Sequence, residues 1–294
     1  MRFLFLAMIL TLTPLAAPVE AAEAVVHAVQ SPAWIERGNR AIPARPGSPL
    51  RPGDLLRTGA SGRAQVDLPE GSRVKLGSDT EFRPTRIVER EDEDGGFLDA
   101  ALDVLKGAFR FTTGLAGQER RRSIDVKVGA VTAGIRGTDL WGRSGPDEDF
   151  VVLLEGRIEM STEGMAPEVL TEPLDGRRLR TGQAQLEPMP EVTMELIQQL
   201  APLTELDPEL GALTADGELQ LVLASSRYPR GVEDIQAQLE SAGFPAYIEA
   251  VQVDGVMWHR VVIDNVASVE DGQQLGGSLV GQFGVNGYWL RPMN

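Results

Sequence analysis

Apolar and polar residues alternate in short runs from residue 25 onward, and Gly or Pro separates one run from the next. Residues 64–68, 73–76 and 108–111 are examples, and residues 51–54 form one of the turns. Because successive side chains of a strand point to opposite faces, each run predicts a strand with one buried face. Many short strands with frequent turns predict an all-β domain over residues 25–188. A jelly-roll or sandwich-like arrangement is expected, with a β-solenoid as the alternative.

The alternation is interrupted at one place inside this domain. Residues 89–94 are all charged and are followed by two glycines, which predicts a solvated loop. The adjacent residues 97–105 are predicted to form one short helix.

Residues 189–217 have the composition of a linker. Pro190, Pro202 and Pro208 interrupt acidic and apolar residues. Proline inside a helix removes a hydrogen bond and clashes with the preceding turn, so a long helix is excluded here. We predict a semi-rigid connection that contains one short helix at residues 192–200.

From residue 218 to residue 294 the pattern is that of a mixed α/β domain. Gly243 is expected to cap the first helix, and Asp254-Gly255 is a strong signal for a hairpin. The order βαββαβ predicts a ferredoxin-like antiparallel sheet with both helices on one face and the other face open. The strand candidates are residues 219–224, 247–253, 257–263 and 288–290, and the helix candidates are residues 232–242 and 269–280.

The third strand of this unit carries the most informative side chains. Alternation places Trp258, Arg260 and Val262 on one face of the strand and His259 on the other. A Trp and an Arg two residues apart form a flat apolar surface beside a fixed cation. Such a surface suits a sugar ring, a nucleobase or an ordinary protein interface. This face is therefore the candidate binding site.

The acidic balance of the chain limits its partners. The formal net charge is −15 over 294 residues, and residues 219–294 contain four Arg and no Lys against eight acidic residues. Nucleic acids and anionic lipid surfaces repel such a chain. We therefore predict no nucleic-acid partner, although some RNA-binding domains stack bases on the same type of sheet.

The first residues have the pattern of a secretory signal. Arg2 precedes an apolar run at residues 3–15, and small residues follow, so residues 1–21 are predicted to be a signal peptide cleaved after Ala21. The apolar run is shorter than the roughly 20 residues of a spanning helix, and retention as an anchor is the alternative. An exported acidic chain without Cys fits the bacterial periplasm.

Sequence motifs of catalysis are absent. The only histidines are His27 and His259, and there is no Cys, so a zinc site with nitrogen and sulfur ligands lacks its ligands. The nucleophile elbow, the metalloprotease helix motif and the phosphate-binding Gly loop are also missing. We predict a protein that is not an enzyme and that needs no cofactor or metal, and we interpret His259 as a packing residue.

An ordered series of motifs runs through the β domain. They are Gly-Asp-Leu-Leu-Arg-Thr-Gly at 53–59, Ala-Gly-Ile-Arg-Gly-Thr-Asp-Leu at 133–140, Leu-Glu-Gly-Arg-Ile at 154–158 and Arg-Thr-Gly-Gln at 180–183. We interpret these motifs as structural, because Gly permits turns with positive φ and Asp and Thr side chains bond nearby backbone amides. Ligand binding by Arg136, Thr138 or Glu155 is the alternative. The series resembles the FecR domain family, which implies a periplasmic module of the kind found in the sensing portions of anti-sigma regulators.

In residues 219–294, Ala224 lies 19 residues before Gly243, and residues 258–263 are Trp-His-Arg-Val-Val-Ile. In these two features the region resembles the SPOR domain family. The resemblance implies binding of peptidoglycan glycan strands that lack stem peptides. Val222 occupies a position where the family usually has Gln, and Gln220 lies two residues earlier on the same face. The predicted glycan-binding residues are Trp258, Arg260, Gln220, Ser225, Val222 and Tyr288, and Tyr247 or Trp289 extends the surface depending on the register.

These features predict a periplasmic peptidoglycan-binding protein. Its SPOR-like domain would dock on septal or remodelled cell wall, and its FecR-like module would offer a second surface to envelope or cell-division proteins. The alternative is an envelope protein–protein scaffold or signalling module without glycan binding. Val222 favours this alternative, and so does Asp264-Asn265, where the family usually has Gly-Pro.

Overall fold

The computed structural model describes residues 23–92, 95–114 and 121–293, so the predicted signal peptide lies outside the described residues. The first domain is built of strands, as its alternating pattern predicts. Its strands are β1 (Ala24–Gln30), β2 (Ala33–Arg37), β3 (Arg40–Pro43), β4 (Pro49–Leu50), β5 (Leu55–Thr58), β6 (Arg63–Asp67), β7 (Arg73–Leu76), β8 (Glu81–Asp92), β9 (Gly95–Thr112), β10 (Arg121–Val128), β11 (Val131–Ile135), β12 (Asp139–Ser144), β13 (Glu148–Glu155), β14 (Ile158–Ser161), β15 (Glu168–Leu170), β16 (Gly176–Arg180) and β17 (Glu187–Pro188).

These strands form two facing sheets that share β9. One sheet has the order β4–β1–β6–β7–β9–β12–β13–β16–β17, and the other has the order β3–β2–β5–β8–β9–β10–β11–β14–β15. Only the β9–β10 pair is parallel among the strands of these two sheets. The domain is therefore a sandwich rather than a solenoid of parallel coils. Its core contains Ile35, Leu56, Phe82, Phe109 and Phe111, each at most 1% exposed.

Strands β8 and β9 differ from two predictions, a loop at residues 89–94 and a helix at residues 97–105. Residues 97–105 are strand and not helix, because Leu98, Ala100, Leu102 and Val104 are buried while the residues between them are partly exposed. This period of two requires a strand, despite the helix-favouring Leu and Ala. The expected loop is also mostly strand, since β8 continues to Asp92, and residues 93–94 lie outside the described residues.

The Gly-Thr-Asp motif has a structural role, as its chemistry predicts. Asp139 forms a two-point ion pair with Arg110 of the neighbouring strand, at 3.0 and 2.6 Å. The Thr138 hydroxyl donates to the carbonyl of Arg157 at 2.8 Å. A Cβ on Gly156 would lie 2.0 Å from the Gly137 carbonyl oxygen, so only glycine permits this backbone approach. The motif therefore joins adjacent strands of the sandwich.

The connection between the two domains lies against the sandwich. Its helix α1 (Met194–Leu200) begins two residues later than predicted and is followed by a 3-10 turn (Ala201–Leu203). Ile197 of α1 packs with Val152 of β13. The buried Gln30 side chain donates to the carbonyls of Asp207 and Leu210, both at 2.7 Å, and accepts from the Asp207 amide at 2.8 Å. The connection is therefore fixed to the sandwich along most of its length.

A short strand continues the sandwich sheet into the C-terminal unit. Strand β18 (Leu213–Thr214) pairs with β1 on one side, and Leu213 pairs with Val266 on the other. One hydrophobic core cluster extends from the sandwich into the C-terminal unit. The remaining elements are β19 (Leu219–Ser226), α2 (Arg230–Ser241), β20 (Tyr247–Val253), β21 (Val256–Val266), α3 (Val269–Leu279) and β22 (Trp289–Pro292).

The C-terminal unit has the predicted βαββαβ order. Its sheet is antiparallel throughout, with the strand order β20–β21–β19–β22. Asp254 and Gly255 both have positive φ, at 50° and 79°, as a tight hairpin turn requires. Gly243 follows the end of α2 with a φ of +83°. Both helices supply residues to the same core, so the opposite sheet face is left without a helical cover.

Candidate functional site

The candidate site is the face of the C-terminal sheet that the helices do not cover. Residues directly opposite each other in an antiparallel sheet share a face. Arg260 of β21 lies opposite both Glu249 of β20 and Ser225 of β19. Val222 lies between Val262 and Trp289. The predicted side chains Trp258, Arg260, Val222 and Ser225 are therefore together on this face.

Two arginine–tryptophan pairs dominate the face, and we call them the Trp–Arg surface. The guanidinium carbon of Arg227 lies 5.2 Å from the centre of the Trp258 ring. That of Arg260 lies 5.8 Å from the centre of the Trp289 ring, two strands away. A cation above an indole ring is attracted by the negative face of the ring. Each Arg is thus held in place by an aromatic ring.

The two arginines of the Trp–Arg surface carry uncompensated charge. Across the described residues, neither Arg227 nor Arg260 has a carboxylate oxygen within 4.0 Å. Arg260 also has a buried Nε without a hydrogen-bond partner. Arg291 on the same face, by contrast, pairs with Glu249. The surface therefore presents two cations with free hydrogen-bonding capacity to a ligand.

Gln220, predicted to bind glycan, is instead part of a buried hydrogen-bond network. It is only 5% exposed. Its amide nitrogen donates to Asp264 at 2.7 Å, and its oxygen accepts from Nε of Arg291 at 2.7 Å. An amide offers both a donor and an acceptor, and both are used here. The prediction that Gln220 contacts a ligand is therefore not supported by its position.

Tyr247 joins this network to the sandwich. Its hydroxyl donates to Asp264 at 2.6 Å, and Arg45 of the sandwich lies over its ring at 5.8 Å. Burial and the neighbouring Asp264 carboxylate raise the pKa of Tyr247 to about 12. Asp264 accepts hydrogen bonds from both Gln220 and Tyr247, and these bonds hold three strands together.

Two further predicted residues are not accessible on this face. Val222 is on the face but is fully buried, at 0% exposure. Tyr288 lies on the helix side: its ring contacts Gly276 of α3, and its hydroxyl lies 3.2 Å from the carbonyl of Gln273. Tyr288 was predicted on the Trp–Arg surface, but it lies on the opposite face of the sheet. The register of β22 places the Trp289 side chain on the Trp–Arg surface instead. Trp289 is 42% exposed and takes the place expected for Tyr288.

Arg227 is a member of the site that the sequence pattern did not predict. It follows β19 directly, beside Tyr228, which is 77% exposed. The signal that could have identified Arg227 is its position. It follows a strand together with an aromatic residue, and the neighbouring strand carries Trp258. His259 is partly exposed and lies opposite Ala250 and Ser226, away from the Trp–Arg surface.

Comparison with known proteins supports the assignment of the sandwich. Residues 54–159 match the family model described as FecR protein, which covers less than half of the chain. The FecR family is non-enzymatic, in agreement with the prediction that the chain is not an enzyme. No curated protein matches the chain. The C-terminal residues lie beyond the FecR match, and their SPOR assignment stays a prediction.

Two solved structures of low similarity were also found. Both are crystal structures of a "putative anti-sigma factor" from Parabacteroides distasonis, with TM-scores of 0.38 and 0.35 and identities of 13% and 11%. In each case the matched region covers 69% of this chain and 96% of the solved chain.

In residues 23–92, 95–114 and 121–293, no group of three His, Cys, Asp or Glu side chains is placed to hold a metal ion. No helix in the same part of the chain has the length and apolar character needed to cross a membrane.

Proposed function

We propose that this protein is a non-enzymatic interaction module of the bacterial envelope, in which the Trp–Arg surface recognises a protein partner. The match of residues 54–159 to the FecR family supports a role in envelope signalling. The observation that carries the proposal is the pair of Trp side chains, exposed at Trp289 and partly buried at Trp258, that lie beside unpaired Arg227 and Arg260. Trp and Arg are the residue types that contribute most to protein–protein binding energy. An acidic segment of a partner would satisfy both guanidinium groups.

The sandwich and the C-terminal sheet are joined to each other by direct contacts. Strand β18 pairs with strands of both parts, and Gln30 holds the connection between them. A partner bound on the Trp–Arg surface would therefore be held at a fixed orientation to the FecR-like module. The predicted signal peptide and the typical location of FecR domains in anti-sigma factors support a periplasmic location.

The second candidate function is docking on peptidoglycan glycan strands. Its support is the resemblance to the SPOR family, together with the position of Trp258, Arg260 and Ser225 on one accessible face. The indole of Trp258 offers a flat surface to a sugar ring, and Arg260 offers two donors to a lactyl carboxylate. Because Gln220 and Val222 are buried, the remaining polar contacts would come from the two free arginines and Ser225.

A sacculus-binding experiment separates the two candidates. We expect the full-length mature chain to be retained less than twofold above background on purified sacculi, whether or not the stem peptides have been removed by amidase. Retention on amidase-treated sacculi that falls at least tenfold in Trp258→Ala/Arg260→Ala would instead establish glycan docking. Met257→Ala is the matched control, because this exposed neighbour points to the other face.

Photocrosslinking tests the protein partner directly. A photoreactive amino acid at position 289 should give one discrete protein adduct in intact cells, and Arg227→Ala/Arg260→Ala should reduce its yield at least tenfold. The same probe at position 252, exposed on β20, is the control and should not give this adduct. Equal yields with and without the two arginines would contradict the proposal.

A further inference from the structure

The sheets end in edge strands, whose outer N–H and C=O groups have no neighbouring strand. Among the described residues, six strands pair on one side only, namely β3, β4, β15, β17, β20 and β22. Such an edge is a template for a strand of another chain, and proteins protect it with short strands, Pro, charges or bulges. An edge without any of these protections is therefore a candidate interface.

Five of the six edge strands are protected. Each is at most four residues long and either contains a Pro or directly follows one. Proline has no N–H to donate, so it interrupts pairing with a further strand. The part of β8 beyond Phe82, which pairs only with β9, has Pro84 and a bulge beside it. The five prolines are Pro43 in β3, Pro49 in β4, Pro167 before β15, Pro188 in β17 and Pro292 in β22.

Strand β20 has none of these protections. It is seven residues long, contains no Pro, Lys or Arg, and pairs with β21 without a bulge. Its one charged residue, Glu249, is already paired with Arg291. Within the described ranges, no other strand or loop bonds the outer side of its backbone. Val253, Val256 and Met257 beside it are exposed apolar residues. This edge is therefore open and largely apolar.

The backbone of β20 can pair with a second copy of itself. In a two-residue hairpin the residues beside the turn exchange hydrogen bonds, so the N–H and C=O groups of Ile248, Ala250 and Gln252 point away from β21. In an antiparallel pair centred on Ala250, these are the groups that meet. Ala250 bonds Ala250 of the second copy, and Ile248 bonds Gln252.

The side chains also fit this register. On the open face, Tyr247 would lie opposite Val253 of the second copy, and Glu249 opposite Val251. An aromatic residue opposite a β-branched residue is a favourable cross-strand pair, and no like charges meet. A register centred on Glu249 would instead place two carboxylates opposite each other. In a two-fold pair each copy also covers the edge of the other, so no free β20 edge remains.

We propose that two copies of this chain associate through β20, as an antiparallel two-fold pair centred on Ala250. The two C-terminal sheets then form one continuous sheet, with both Trp–Arg surfaces on the same side. A partner with two binding segments would bind both surfaces together, and linked binding is stronger than either contact alone. The pairing does not depend on what the Trp–Arg surface binds.

Sedimentation velocity of the full-length mature chain tests the pairing. We expect a monomer–dimer equilibrium with a dissociation constant in the micromolar range. Ala250→Lys should weaken it at least tenfold, because two ammonium groups would meet at the centre of the pair. Ala237→Lys makes the same change at an exposed position of α2 and should dimerise as the parent does.

A single introduced thiol tests the register, since the chain contains no Cys. Residues that exchange hydrogen bonds have Cα atoms about 5.5 Å apart, which a disulfide can bridge. Ala250→Cys should therefore form a covalent dimer under mild oxidation. The two thiols of Gln252→Cys would lie roughly 13 Å apart along the pair, so this equally exposed variant should form at least tenfold less.

Three results would overturn the proposal. The first is a chain that stays monomeric up to high micromolar concentration, which would leave the β20 edge free for a strand of a different protein. The second is a dimer that Ala250→Lys weakens no more than Ala237→Lys does. The third is equal covalent dimer from Ala250→Cys and Gln252→Cys, because the copies would then not be paired in the register centred on Ala250.

Discussion

Replacing Gly276 with alanine is expected to destabilise the C-terminal unit by about 1–3 kcal/mol, the range for overpacking a well-filled site. Gly276 is buried in α3 where the helix meets the Tyr288 ring, and a Cβ there would lie 2.5 Å from two ring carbons. The ring also lies against the core, so it has little freedom to move. The better helix propensity of alanine offsets only part of this cost.

The adjacent Gly277 provides a matched control for Gly276. It lies in the same helix, is exposed, and a Cβ there would meet nothing within 4 Å. Gly277→Ala should therefore stabilise α3 by up to about 1 kcal/mol, because alanine is the better helix former. Urea unfolding together with hydrogen exchange of the α3 amides would measure both variants. Equal stabilities for the two would contradict the close packing between Gly276 and Tyr288.

The Gly276-Gly277 pair shows what the sequence can and cannot predict about a helix. Sequence alone identifies the helix at residues 269–280 and treats both glycines as weaknesses in it. Only the packing separates them, because one glycine faces the core and the other faces solvent. The boundaries of this helix agree with the prediction to within one residue.

The register of the last strand explains the error at Tyr288. Strand β22 pairs with β19 without a bulge, and Trp289 lies opposite Val222. A one-residue change of register moves a side chain to the other face of a sheet, and the short run at residues 288–290 does not show which register is used. The sequence therefore placed Trp258 and Arg260 correctly from their own strand, but could not choose between Tyr288 and Trp289.

Composition misled the prediction at residues 97–105. Leu and Ala favour a helix in isolation, but each second residue from Leu98 to Val104 is buried between the sheets. Tertiary burial outweighs intrinsic propensity in such a segment.

The strand face of Gln220 was predicted correctly, but its hydrogen bonds were not. Its partners Asp264 and Arg291 lie 44 and 71 residues away in the sequence. Such long-range contacts are not encoded in local spacing.

The largest loss of stability is expected from Arg37→Met. The Asp54 carboxylate side chain is 4% exposed and accepts from Arg37 at 2.8 and 2.6 Å and from the Arg51 amide at 2.9 Å. Removing the guanidinium leaves a buried carboxylate without its counter-ion, which costs roughly 3–5 kcal/mol for a fully buried pair. Because Arg37 itself is 40% exposed and solvent screens it, we expect about 2–4 kcal/mol at neutral pH.

The pH dependence of this loss identifies its cause. Burial alone would raise the pKa of Asp54, but hydrogen bonds from Arg37 and Arg51 outweigh it and hold the pKa below the ordinary 3.8. In the parent, the contribution of Asp54 is therefore present above about pH 3.8 and is lost as the pH falls through the lowered pKa. In Arg37→Met, burial is no longer outweighed, so the carboxyl pKa rises and protonation at acidic pH relieves the cost.

The difference in unfolding free energy between the parent and Arg37→Met should consequently be largest at neutral pH and should decrease as the solution is acidified toward pH 4. Urea unfolding at several pH values measures it. Arg40→Met, an exposed change on the neighbouring strand β3, should stay within about 0.5 kcal/mol of the parent at every pH. A loss in Arg37→Met that is the same at every pH would show that packing of the arginine stem, and not the buried charge of Asp54, stabilises this turn of the sandwich.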